Sequence, residues 1–329
     1  MLLFRMLLPP PVIIRSEFIF DVLPTRACHA ATISETKSGA LVAAWFGGTA
    51  ESKPDVGIWF SRLEGGQWRK PREVANGNPD GVKRFACYNP VLFQPKKGPL
   101  MLFYKVGTGP QTWWGMMKTS VDDGDHWSNP TRLPSGYFGP IKNHPLELPG
   151  GQILCPSSSE DHGWRVHFES TTDLGNTWTT SGTLNDPMKI GAIQPSILRI
   201  GAFGLRAIGR TQQGAIFAID SKDLGDTWGA MRLLDLPNPN AGTDAIGLKD
   251  GRYLLVFNDS TTHRTPLAVA ISADGEHWDR QLTLENAKGE FSYPTVIQTA
   301  DGLVHVVYTW QRTHIRHVVL DVHQSQSVN

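Results

Sequence analysis

The chain has 329 residues, enough for one large domain or two of ordinary size. Its 31 Lys and Arg balance 31 Asp and Glu, which excludes both a global basic field for nucleic acid and a strongly acidic binding face. With 40 % hydrophobic residues, 11 Trp and only 19 % charged residues it has the composition of a packed core, while 33 Gly and 23 Pro cut it into many short segments, as in an all-β protein.

The N-terminal stretch Met1–Ile14 is apolar but is interrupted by Arg5 and by Pro9, Pro10 and Pro11, and no small-residue cleavage site follows it. No run reaches the roughly 18 apolar residues of a membrane span. Cys28, Cys87 and Cys155 contain no CxxC pair and are odd in number, which fits a reducing compartment. A cytoplasmic location is therefore expected rather than a secreted one.

After an apolar segment, Ile13–Phe20, six units of similar form follow. They open at His29-Ala-Ala-Thr-Ile, Asn89-Pro-Val-Leu-Phe, His144-Pro-Leu-Glu-Leu, Gln194-Pro-Ser-Ile-Leu, Asp244-Ala-Ile-Gly-Leu and Tyr293-Pro-Thr-Val-Ile. The spacings are 60, 55, 50, 50 and 49 residues. A glycine turn and a second apolar strand come next in most units, as at Leu41–Trp45 and Leu100–Tyr104. Later in each unit stands a box of the form S-x-D-x-G-x-x-W. It is clear at Ser120–Trp127, Thr171–Trp178 and Ser221–Trp228, one residue shorter at Ser272–Trp278, and degenerate at Ser61–Trp68, where Leu63 replaces the Asp. The box is turn chemistry. Asp accepts backbone N–H groups, Gly supplies the backbone freedom, and Trp packs back between sheets.

About 50 residues holding four short strands is the size of one propeller blade. The sixth unit ends at Arg316–Leu320 without a box, so the unpartnered Ile13–Phe20 is expected to supply its last strand and leave no open edge. The reading is an all-β, six-bladed β-propeller over 13–321, with an N-terminal extension, 1–12, and a C-terminal tail, 322–329.

Boxes at this period resemble those of the sialidase (neuraminidase) superfamily of BNR-repeat proteins, from about Ser16 to Leu320. Cys28-His-Ala-Ala-Thr, Trp45-Phe-Gly-Gly-Thr, Pro54-Asp-Val-Gly-Ile-Trp and Phe291-Ser-Tyr-Pro-Thr are similar to the branch of predicted neuraminidases. The resemblance implies a site with three arginines for the substrate carboxylate, a Tyr nucleophile backed by a Glu, and an Asp acid/base. Residue by residue, it carries the Tyr role to Tyr293, a blade-four arginine to Arg210, and the Asp role loosely to Asp55. His29 stands where the first arginine is expected and Gln194 where the Glu is expected, and the other arginines have no clear match.

Read from the residues themselves, the opening strands line a central funnel and bring His29, Asn89, His144, Gln194, Asp244 and Tyr293 together. The ends of the second strands add Trp45, Lys105, Ser157, Arg210, Asn258 and Trp310. The loops beyond them add Glu51, Asp55, Trp113, Trp114, His162, Arg165, His263 and Arg264. Aromatic faces stack on sugars, while Arg, Asn and Gln read hydroxyls and carboxylates. Tyr293, His29, Asp55 and Asp244 are the catalytic candidates. Arg210, Gln194, Asn89, His144, Trp45, Lys105, Trp113, Trp114, Arg165 and Trp310 are the substrate-binding candidates. No metal-ligand spacing or phosphate loop is present, so neither a metal nor another cofactor is expected.

Three functions remain open. One is an exo-glycosidase that removes a terminal, acidic sugar from an oligosaccharide or glycoconjugate, with Tyr293 as nucleophile or stabiliser and Asp55 or Asp244 as acid/base. A second is a uronate lyase, with His29 and Tyr293 exchanging the proton roles and Gln194 or Asn89 helping Arg210 to neutralise the carboxylate. A third is a glycan-binding propeller without catalysis. Neither the sugar and its linkage nor the oligomeric state can be read from the sequence.

Overall fold

A computed structural model describes residues 10–78 and 81–322. Among them are 25 strands and no helix, arranged in six antiparallel sheets that form the blades of a β-propeller. The extension and the tail expected from the sequence lie almost wholly outside the described residues. Five sheets have four strands. The first has five because its outer edge is split into Gln67–Trp68 and Arg72–Ala75. The last blade is closed by the chain's N-terminal strand, Val12–Phe18, which pairs antiparallel with His314–Asp321. Two ends of the chain thus share one sheet, and the ring has no open edge.

Alternating side chains of each blade fill the gaps between blades. The box hairpins seal the lower rim. In the blade-three box the Thr171 hydroxyl accepts the Gly175 N–H at 2.8 Å, and the Asp173 carboxylate accepts the Thr177 N–H at 2.8 Å. The box tryptophan then reaches the preceding blade, as Trp228 does by stacking on Phe168 at 4.2 Å and Trp127 by meeting Phe60 edge-on at 5.6 Å.

The opening strands share a device that the sequence repeat does not show. In blades one, two, four and six the pairing register slips by a bulge. At that point Ala30, Asn89, Gln194 and Tyr293 have φ of 54°, 39°, 56° and 54°. Side chains bulkier than Gly rarely adopt this left-handed region, and three of the four precede Pro, which further disfavours departure from extended backbone. Strain of this kind is retained where it aims side chains. The bulge also corrects the repeat by one residue. In blade one it is Ala30 that matches Asn89, Gln194 and Tyr293, and His29 occupies the preceding position, shared with Tyr88, Ile193 and Ser292. In blade three the opening strand is only Leu146–Glu147, and the residues before it, Lys142 to His144, enter the centre as irregular chain.

Just below the bulges, polar groups tie blade to blade. Thr295 donates to Ala31 O at 2.7 Å, and Leu92 N donates to Thr32 at 3.2 Å. His144 Nε2 donates to Ile33 O at 2.8 Å. Asp244 accepts from the Ser196 hydroxyl at 2.7 Å and from Val296 N at 2.9 Å, joining blades four, five and six.

Candidate active site

The upper end of the opening strands carries the chemistry. Tyr293, held outward by its bulge, is 9 % exposed. Arg210, at the end of Gly204–Thr211, donates to its phenol oxygen at 2.5 Å and to Gln194 Oε1 at 3.1 Å. The same guanidinium is fixed from its other edge by Asn240, whose Oδ1 accepts from Nη2 at 2.6 Å, and it lies 4.8 Å from the Trp164 ring. A second guanidinium, Arg264, stands 5.6 Å from the Tyr293 ring.

A third comes from the hairpin tip between Val304–Trp310 and His314–Asp321. There Gln311 and Arg312 both have positive φ, 52° and 59°. Arg312 Nε donates to Glu290 Oε1 at 2.7 Å and Nη1 to Glu51 Oε2 at 2.7 Å. Arg264 donates to the same Glu290 oxygen at 2.8 Å, as does the Ser292 hydroxyl at 2.8 Å. Burial alone would raise the Glu290 carboxyl, but Arg312 and Arg264 outweigh it and hold the group below the usual carboxylate range. The two arginines are thereby oriented by one shared carboxylate.

His29 packs against Tyr293 with ring centroids 4.2 Å apart. It is 2 % exposed. Burial first, then the charges of Arg312, Arg264, Arg210 and Lys142, push its proton affinity well below the usual imidazole range, so the ring is neutral at physiological pH. Lys142 lies beneath Tyr293, 5.8 Å from its ring, and donates to Pro294 O at 2.6 Å and Thr243 O at 3.1 Å. Burial lowers its ammonium to about 8. Its neighbour Asn143 donates to Gln194 O at 3.1 Å. Two consecutive blade-three residues therefore brace the strained Gln194–Pro195 and Tyr293–Pro294 segments.

Beside this cluster opens a pocket of about 380 Å³. Its walls include Cys28, His29, Phe46 and Val56 together with the charged Glu51, Glu290 and Arg312. The space suits a single sugar ring or part of one. Asp55 sits on the loop flanking it and accepts from Thr49 N at 2.8 Å and from the Thr49 hydroxyl. Those bonds keep the exposed carboxyl below its ordinary range, hence ionised. Glu160 behaves oppositely. Burial raises its carboxyl, although Arg210 pulls the other way.

Of the residues singled out from the sequence, Tyr293, His29, Arg210, Gln194 and Arg264 come together, and Glu51 pairs with Arg312 at the pocket beside them. Asp55 lies on the adjoining loop, and Asn89 is the buried bulge residue of blade two. The rest stand apart. Asp244 and His144 are the inter-blade ties described above, and Asp244 is 2 % exposed with its oxygens already engaged. Lys105 is fully buried and donates to Pro140 O. Trp45 lies in the core, stacked on Phe20 at 5.1 Å. Trp113 is buried against Tyr88, and Trp114 is sandwiched between Phe85 and Arg132 in blade two. Arg165 pairs with Asp161 at 2.7 Å, and Trp310 packs on Phe18 at 5.3 Å. Glu290, Asn240, Glu160, Trp164 and Lys142 carry no motif or period that marks them for the site. Arg312 was within reach, because its place two residues past the end of the second strand, Val304–Trp310, puts it on an upper turn.

Residues 39–306 match the BNR repeat-like domain family. Among solved structures, a protein of unknown function from Dyadobacter fermentans DSM 18053 is similar over 96 % of this chain and 100 % of its own, at 17 % identity and a TM-score of 0.79. The NanB sialidase of Streptococcus pneumoniae is similar over 93 % of this chain and 70 % of its own, at 14 % identity and a TM-score of 0.74. The alpha-L-arabinanase of Penicillium chrysogenum is similar over 95 % and 98 %, at 16 % identity and a TM-score of 0.69. No curated protein sequence matches the chain. At such identities these likenesses concern the fold. The chain belongs to the BNR repeat-like domain family, built on a sialidase-type six-bladed propeller.

Proposed function

We propose that the protein is an exo-acting glycoside hydrolase that removes a terminal sugar bearing a carboxylate. The observation that carries this reading is the convergence of Arg210, Arg264 and Arg312 around Tyr293 and His29. Arg312 lines the one-sugar pocket, Arg210 and Arg264 flank Tyr293 beside it, and together these fixed cations favour an anionic ligand, each worth far more in a partly dehydrated site than at the surface. The guanidiniums bind the carboxylate and set the ring so that its anomeric carbon faces the Tyr293 oxygen. As that oxygen attacks the carbon, or stabilises the positive charge that develops on it, the bond to the leaving oxygen breaks and the phenol proton passes to that oxygen, while Arg210 stabilises the negative charge that develops on the phenol in between. Asp55, ionised in the free protein, takes a proton from the water that attacks next, and the proton returns to the Tyr293 oxygen as that oxygen leaves.

Gln194 favours a second reading. A neutral amide cannot take the phenol proton, whereas elimination from a uronate would use neutral His29 and Tyr293 as the proton pair. Product masses separate the two. The protein is incubated with oligosaccharides ending in a sialic acid or a uronic acid, in isotope-labelled water. Hydrolysis is expected: fragments that sum to the substrate plus one water, with label in one of them. Fragments that sum to the substrate, one of them unsaturated, would replace this reading with elimination. Binding without fragments would replace both with a lectin-like role.

A further inference from the structure

We propose that Thr309 fixes His29 as the tautomer protonated on Nε2, so that His29 serves the site as a neutral hydrogen-bond donor to an anionic oxygen and not as a base. The donors and acceptors around the ring leave one arrangement. Thr309 lies on Val304–Trp310 and is fully buried. Its hydroxyl oxygen accepts the Ala30 N–H at 3.1 Å and lies 2.9 Å from His29 Nδ1. Among the described residues no carbonyl or carboxylate stands ready to take the hydroxyl hydrogen, which leaves Nδ1 as its acceptor. An Nδ1 that accepts places the ring proton on Nε2. That nitrogen is buried, and among the described residues it has no partner. Buried donors are rarely left unmade without a reason.

His29 meets Tyr293 on one side and lines the pocket on the other, and the site around it is cationic. Burial and the surrounding charges also oppose a second proton on the ring, so the donor stays neutral through physiological pH. The residue in the place where the resemblance expects an arginine thus contributes one N–H without adding a fourth positive charge. Nε2 is closed to solvent in the free protein, so a carboxylate oxygen of the sugar completes it by shifting the ring or its cover on binding. This last step rests on the hydrolase reading, while the tautomer does not.

The experiment is NMR of the full chain labelled at the histidine rings, using two-bond nitrogen–proton correlations. The His29 signal is assigned by its loss in His29→Gln, or by backbone correlations if that variant does not fold. The free protein is expected to show a protonated Nε2 and an unprotonated Nδ1, unchanged across neutral pH. Saturating N-acetylneuraminate or glucuronate is expected to shift the Nε2–H, and glucose to leave it in place. Thr309→Val should release the proton toward Nδ1 and weaken acidic-sugar binding by about tenfold, while Thr309→Ser should retain both properties. A proton on Nδ1 in the free wild-type protein overturns the proposal whatever the substrate is. An Nε2–H that stays fixed while calorimetry shows the acid sugar bound overturns the donor role. Absence of any acidic-sugar turnover counts against the hydrolase reading alone.

Discussion

The lower and upper rims of the propeller spend their polar groups in opposite ways. Below, each box that keeps its Asp closes its turn within eight residues: Ser221 accepts from Gly225 N at 2.8 Å and Asp223 from Thr227 N at 2.9 Å, in the same pattern as at Thr171 and Asp173. Above, the partners are distant in sequence. Arg210 reaches Tyr293 across 83 residues and Arg312 reaches Glu51 across 261. The lower rim makes its bonds locally and in water, where single contacts add little. The upper rim gathers buried charge from four blades on a strained backbone, and an Nε2 without a partner. Stability is concentrated in the first region and its packed tryptophans, reactivity in the second.

Substitutions can break this contrast from either side. The largest effect is expected at Tyr293→Phe, which should lower kcat/KM on the order of 10³-fold or more while the thermal midpoint stays within a few degrees. A parallel loss of fold would merge the two regions. The mirror experiment is Trp178→Ala. Its indole is 8 % exposed and donates to Gly175 O at 2.9 Å, so about 3–5 kcal/mol of stability should go, read by denaturant unfolding, with the specific activity of the folded fraction intact.

Acid should act at ring closure. His305 and His317 stack there, Nδ1 to Nε2 at 2.9 Å, and His317 meets Glu17 of the closing strand at 3.1 Å. Burial, then the neighbouring His317, lowers His305 to about 4 from an ordinary 6.5, so the unfolded chain takes up a proton that the folded chain resists. Stability is whole above about 6.5, falls as pH drops from there, and the loss, on the order of 3 kcal/mol, is complete below about 4. Unfolding midpoints followed across that range should show it, and His305→Leu should flatten the profile.

A smaller, sharper effect belongs to Arg264→Met. Activity on acidic sugars should fall about 10²-fold. The smallest is Arg165→Ala. Its pair with Asp161 is part-exposed, so stability should change by less than about 1 kcal/mol and KM by no more than a few fold.

The same contrast explains what the sequence could show. Boxes, turns and blade length are local, so the six blades and the closing strand were legible from spacing alone. Tyr293, Gln194 and Arg210 were legible too, because the strand period carries them to one level. His29 was assigned one place off, since blade one has Ala31 where a proline follows the bulge residue in blades two, four and six, so nothing in its sequence marks Ala30 as the matching position. Asp244 and His144 have the right types and spacing for a site, yet sit just below the bulges, where neighbouring blades use them as ties. Trp45 is core by the side of the strand it occupies, and Trp113, just before a strand, is buried against Tyr88. Glu290 and Arg312 escaped notice because their roles depend on each other and on Arg264, a relation that no single-residue pattern encodes.

The most direct test of the central claim is a matched pair of substrates: one oligosaccharide ending in an acidic sugar, and the same molecule with its terminal carboxylate reduced to an alcohol. Wild-type protein is expected to favour the acid by at least about 10² in kcat/KM, and Arg210→Met to remove most of that preference. Equal turnover of the two substrates, or a preference that survives Arg210→Met, Arg264→Met and Arg312→Met alike, would contradict the account.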